Sequence, residues 1–121
     1  MREYQMGTIE SKFADIIWQN EPISSSELAK RSEALLGWKK STTYTALKRL
    51  CDKGIFQNQK GTVTSLLSKQ EFNSVQSERF VEDTFSGSLP AFLAAFTARK
   101  NLTPEEVEHL RCMVAEYDEV K

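Results

Sequence analysis

The stretch Trp38-Lys39-Lys40-Ser41-Thr42-Thr43-Tyr44-Thr45-Ala46-Leu47-Lys48-Arg49-Leu50-Cys51-Asp52-Lys53-Gly54 decides the reading of this chain. Set on a helix at about 100° per residue, it places Thr43, Leu47, Leu50 and Cys51 on one face, at spacings of i, i+4, i+7 and i+8. The opposite face carries Ser41, Thr42, Thr45, Lys48 and Arg49, with Tyr44 at its edge. Short hydroxyl side chains let a helix come close to base edges and phosphates, and Lys and Arg supply the charge that phosphates attract. An ordinary amphipathic helix with a solvated polar face fits the same residues, so the surroundings must decide.

From Trp38 to Gly61 the basic residues are Lys39, Lys40, Lys48, Arg49, Lys53 and Lys60, against the single acid Asp52. The whole chain has a formal net charge of −1, which says nothing by itself. Its two halves differ. Residues 1–66 hold ten basic and seven acidic side chains, a net of +3, and residues 67–121 hold six and ten, a net of −4. A basic first half joined to an acidic second half points to a division of labour, with the first half facing a polyanion.

Working outward, a first helix is expected from Thr8 to Gln19, with Ile9, Phe13, Ile16 and Ile17 as its apolar stripe. Asn20-Glu21-Pro22 ends it, and Ile23 adds a short strand. Ser24-x-x-Glu27 is a capping-box pattern that opens a second helix, Ser25 to Leu36, expected to bury Leu28 and Leu35 and to stop at Gly37. With the run quoted above as third helix, this is a helix-turn-helix arrangement. Ile55–Gln59 and Thr62–Leu67 then flank Lys60-Gly61 as a β-hairpin. Three helices followed by a hairpin is the order of a winged helix, and Lys60 at the tip is either a phosphate contact or simply a soluble turn residue.

Ser68-x-x-Glu71 opens a long helix to about Phe85, Gly87 breaks it, and Pro90–Ala98 forms a short apolar helix. Thr103-Pro104-Glu105-Glu106 starts the last helix, with Val107, Leu110, Val114 and Tyr117 at spacings of three and four. The expected organisation is mainly α with a small β-hairpin: a winged helix-turn-helix domain over 1–67 and a helical region over 68–121. A segment of about 50 residues struggles to bury so many apolar side chains alone. Pairing with a second copy is the economical solution, through Phe80, Phe85, Leu89, Phe92, Leu93, Phe96, Val107, Leu110 and Val114. A two-fold protein also matches a palindromic duplex site. A compact monomer with these helices folded back is the alternative.

No run approaches the roughly 20 apolar residues that cross a bilayer, and Met1-Arg2-Glu3-Tyr4-Gln5 lacks the apolar core of a signal peptide, so a cytoplasmic protein without membrane insertion is expected. Cys51 and Cys112 make neither a disulfide framework nor a metal-ligand spacing. Catalysis finds no support. The single histidine, His109, lies among acids, Cys51 has no base nearby in sequence, and no phosphate loop or metal cluster is present. No cofactor is expected.

The chain resembles the penicillinase repressors, a family with copper-responsive relatives. The motifs are Ile16-Ile17-Trp18 with Pro22-Ile23-Ser24, then Ser26-Glu27-Leu28-Ala29, then Thr42 to Leu50 with Lys53-Gly54, and finally Phe85-Ser86-Gly87-Ser88-Leu89 with Phe96. The resemblance covers nearly the whole chain. It implies a homodimeric repressor whose winged helix binds half of an inverted-repeat operator with TACA/TGTA-like half-sites. By position, the family's base and phosphate contacts would fall on Ser41, Thr42, Tyr44, Thr45, Lys48 and Arg49, with the wing near Lys60 adding backbone contact; the local charge adds Lys39 and Lys40 as expected phosphate contacts. In known members a membrane-bound β-lactam receptor triggers cleavage at an asparagine-phenylalanine bond. The matching bond here is Ala95-Phe96, which keeps the phenylalanine and lacks the asparagine. Copper-responsive relatives end in a cysteine cluster, because thiolates suit copper(I), and this tail offers only Cys112.

Two other readings stay open at this point. A winged helix can serve protein–protein contact, but six cations against one acid over 38–61 have no role there. A dimeric winged-helix regulator of another family is argued against by the Gly87-Ser88 helix break.

Overall fold

The computed structural model describes residues 6–120, with side chains through Tyr117. The elements follow in the order α1 (Thr8–Asn20), β1 (Ile23–Ser24), α2 (Ser25–Leu36), α3 (Lys40–Asp52), β2 (Phe56–Gln59), β3 (Thr62–Ser65), α4 (Lys69–Phe85), α5 (Leu89–Thr97) and α6 (Pro104–Val120). The fold is mostly helical with a small antiparallel sheet, as the hydrophobic periodicity predicts.

Helix starts are set by local chemistry. Ser24 Oγ accepts the Glu27 N–H at 3.0 Å, satisfying one of the donors a helix start leaves orphaned. Ser68 and Glu71 form a reciprocal box, Glu71 N–H to Ser68 Oγ at 3.0 Å and Ser68 N–H to Glu71 Oε1 at 2.8 Å. Thr103 and Glu106 repeat it at 3.0 and 2.9 Å. Gly37 ends α2 at φ 70°, a left-handed conformation that favours glycine.

The sheet runs β1-β3-β2, all antiparallel. Ile23 pairs with Val63, and Asn58 pairs with Val63 from the other side. The β2–β3 link is the two-residue turn Lys60-Gly61, with φ of 54° and 88°. Positive φ at both positions is what a tight hairpin turn matched to strand twist requires. Asn58 Oδ1 accepts the Gly61 N–H at 3.0 Å. Gly61 O accepts the Ser25 N–H at 2.8 Å, which ties the wing to the start of α2.

The chain forms two compact units that divide between Arg79 and Phe80. The first has a continuous core of Phe13, Ala14, Ile16 and Ile17 from α1, Ile23, Leu28 from α2, Ala46, Leu47 and Leu50 from α3, Ile55, Phe56, Val63 and Phe72. Trp18 stacks on Phe56 and Phe72 at 5.1 and 5.7 Å between ring centroids, and its Nε1–H donates to Leu67 O at 2.9 Å. Phe72 explains why this unit reaches beyond the 67/68 boundary expected from sequence: the start of α4 supplies a core side chain. Two expected core positions are on the surface. Leu35 is 67% exposed, because Leu28, Ala29, Ser32 and Leu36 centre the inward face of α2 and Leu35 lies to one side at the helix end. Ile9 is 50% exposed in the first turn of α1, ahead of the packed stripe.

In the second unit Phe80, Phe85, Phe92 and Phe96 form a chain of ring contacts, with neighbouring centroids 5.7 to 6.1 Å apart. Among the described residues from Phe80 onward none is fully buried. No helix of the described residues is long and apolar enough to cross a membrane.

Candidate nucleic-acid interface

α3 presents two faces with opposite chemistry. Thr43, Ala46, Leu47 and Leu50 are buried, while Ser41, Thr42, Thr45, Lys48 and Arg49 are exposed and Tyr44 is half-buried. Cys51, read from sequence as an apolar-face residue, is half-buried and packs against the core. Burial, with the charge of Asp52 beside it, pushes the Cys51 thiol up, partly offset by Lys48. A thiol so held stays protonated at neutral pH and makes a poor nucleophile.

The helix begins at Lys39, whose backbone is extended and whose side chain makes no capping hydrogen bond. The first N–H groups of α3 therefore have no side-chain cap, and this positive helix terminus lies beside Lys39 and Lys40. Lys40 Nζ lies over the Tyr44 ring at 5.9 Å from its centroid, which restrains both side chains next to the hydroxyl row. Lys60 stands exposed at the wing tip.

Two grooves flank the helix. One, of about 420 Å³, is lined by Ile9, Glu10, Trp38, Ser41, Thr42, Thr45, Ala46 and Arg49. The other, of about 440 Å³, is lined by Ser26, Ala29, Lys30, Glu33, Lys39 and Lys40. Trp38 forms part of the first groove by packing its ring on Phe13 at 5.1 Å. The wing carries a third shallow surface over Gln59, Lys60, Thr62 and Thr64.

The structure brings Lys39 to Arg49 together along one helix, with Lys60 on a separate element. It also adds residues that sequence reasoning missed. Glu10 reaches Arg49 Nη1 at 3.4 Å and Lys53 Nζ at 3.6 Å. The Glu10–Arg49 contact spans 39 positions, and no local pattern marks it. Lys30 enters the second groove from α2, on the helical turn after Ser26. Lys48 pairs with Asp52 at 3.2 Å, a contact that the i,i+4 spacing does foretell.

The residues singled out for self-association form an unfilled apolar surface. Phe80, Leu89, Phe96, Val107 and Val114 are exposed, while Phe85, Phe92, Leu93 and Leu110 are half-buried. A small hollow of about 250 Å³ between α5 and α6 is lined by Phe92, Leu93, Phe96, Leu102, Glu106, His109 and Leu110. Ala95 and Phe96 both lie exposed inside α5. His109 is an exposed residue of α6, and among the described residues no group of acids, histidines and cysteines is placed to hold a metal.

Comparison with known proteins agrees with this architecture. Residues 6–116 match the family model described as penicillinase repressor. A penicillinase repressor of Bacillus licheniformis is 26% identical over 117 residues, an alignment covering 93% of this chain and 91% of that protein. A match over so much of the length, together with the fold, means that the chain belongs to the penicillinase repressor family, a class of transcriptional regulators and not of enzymes.

Proposed function

We propose that the protein is a homodimeric DNA-binding repressor that occupies an inverted-repeat operator in the cytoplasm. The observation that carries this reading is the exposed face of α3, where hydroxyls and cations reach the surface while the opposite face is locked into the core. A helix of this diameter fits the major groove of duplex DNA. In this reading Thr42, Tyr44 and Thr45 lie near base edges, with Ser41 beside them. Lys39, Lys40, Lys48, Arg49 and Lys60 meet phosphates, and α2 braces the recognition helix.

One head offers few contacts, so a single half-site binds weakly. Joining two heads through Phe80, Phe85, Leu89, Phe92, Leu93, Phe96, Val107, Leu110 and Val114 makes the second engagement effectively intramolecular. The unfilled apolar surface of the second unit supports that assignment. Release then follows from loss of the tail pairing. A sensor protease acting at Ala95-Phe96 would cut within α5 and remove α6 from that pairing. Repression by occupancy needs no cofactor.

The test is a pair of substitutions read on duplex DNA. Lys48→Ala should weaken binding to every sequence and reduce the slope of log affinity against log salt by about one phosphate contact. Thr42→Ala should instead cost discrimination, roughly 1–3 kcal/mol at one base pair, and leave the salt slope in place. Binding that is insensitive to salt and indifferent to both changes would reject the assignment of α3.

A further inference from the structure

Glu10 approaches α3 from the first turn of α1, on the side of the groove that also holds Ser41, Thr42 and Thr45. Its carboxylate faces two cations, Arg49 Nη1 at 3.4 Å and Lys53 Nζ at 3.6 Å. It also accepts the Gly7 N–H at 3.3 Å, which anchors it at the start of its own helix. The two sides of the Arg49 pair differ in freedom: the Glu10 side chain is 19% exposed and that of Arg49 is 54% exposed. The acid is held, and the guanidinium can swing away.

We infer that Glu10, held also against Lys53, is an internal counter-anion that competes with DNA phosphates for Arg49, and so limits the grip of the head on duplex of arbitrary sequence. The inference rests on the DNA-binding reading above and adds to it a residue that sets the electrostatic part of the affinity. Affinity for bulk duplex comes from the number of phosphates that cations neutralise. Each cation already matched to Glu10 is withheld from that number until a phosphate displaces the carboxylate. A displaced Glu10 does not leave with its partner, because Gly7 keeps it in place. It then repels phosphates within the roughly 8–10 Å over which charges act in physiological salt. Contacts of Thr42 and Thr45 with bases carry no such penalty. Because Arg49 meets phosphate on any duplex, Glu10 lowers affinity for random sequence and for a true site alike. The Lys48–Asp52 pair differs in kind. Its side chains are 78% and 66% exposed, so solvent screens it and little is lost when it opens.

The experiment is Glu10→Gln in the full chain, titrated by fluorescence anisotropy against a mixed-sequence duplex over a range of salt, beside the unmodified protein and Asp52→Asn. Gln has the shape of Glu and suits the third position of a helix start, so the Gly7 junction is preserved. Removing the charge should tighten binding to this duplex about fivefold to tenfold at low salt, and should steepen the salt slope by roughly 0.9 for each phosphate newly engaged. Asp52→Asn should change both quantities less. Glu10→Gln with unchanged or weaker binding and an unaltered slope overturns the inference and leaves DNA binding standing. If the unmodified protein itself shows no salt-dependent duplex binding, the DNA reading fails and this inference falls with it.

Discussion

Three threonines within one turn of α3 do different work, although their chemistry is identical. Thr42 and Thr45 present hydroxyls to solvent on the candidate DNA face, while Thr43 is fully buried. The Thr43 hydroxyl finds no hydrogen-bond partner among the described residues, and neither does that of Ser32 on α2. A buried hydroxyl without a partner carries a desolvation cost of about 1–3 kcal/mol. Thr43→Val keeps the branched shape and removes that cost, so it should stabilise the protein by roughly 1 kcal/mol, seen as a raised urea midpoint with an unchanged slope. A lowered midpoint would mean that the hydroxyl is satisfied in solution. The inward direction of Thr43 was legible from its spacing to Leu47 and Leu50. The lack of a partner was not, because it depends on what α2 brings opposite.

The wing shows how one turn fixes an element. Lys60 and Gly61 both adopt positive φ, and Gly61 reaches 88°. A side chain at such an angle is strained even where there is room, and an added Cβ would meet only Ser25 Oγ at 4.0 Å. Gly61→Ala should therefore cost about 1–2 kcal/mol of stability through backbone strain alone, measurable by denaturant titration. Elements of this kind were readable in advance: the hairpin from its Lys-Gly pair, α4 and α6 from Ser68/Glu71 and Thr103/Glu106. Side-chain burial was read less well. Leu35 shares a period with Leu28, yet it lies to one side of the inward face, where Leu36 packs against the core instead. Periodicity gives a face, and packing partners decide how wide that face is.

Across the chain, the two units contrast in how they are held. The first closes a core of aromatic and aliphatic side chains around Phe13, Phe56 and Leu50, whereas the second leaves Phe80, Leu89, Phe96, Val107 and Val114 exposed. These exposed side chains are the basis of the proposed pairing. Leu110→Asp, placing a charge beside Phe92 and Phe96 in the α5–α6 hollow, should shift the protein from dimer to monomer in sedimentation and weaken operator binding by orders of magnitude. A variant that still sediments as a dimer would place the pairing surface elsewhere. The apolar spacing of these helices was legible from sequence, and their exposure supports the proposed pairing. That the first unit extends past residue 67 was not legible, because the start of α4 lends Phe72 to the first core. The Glu10 contact with α3 was equally hidden, since ion pairs across 39 positions leave no trace in local sequence.

The chain has two tryptophans, and the fold gives them unequal views of the surroundings. Trp18, half-buried, packs against Phe56 and Phe72 and donates to Leu67 O, and it does not line the groove beside α3. Trp38 borders the groove beside Ser41, Thr42 and Arg49. With Trp18 replaced by Phe, the remaining indole becomes an intrinsic optical gauge of whatever enters that groove, requiring no attached dye.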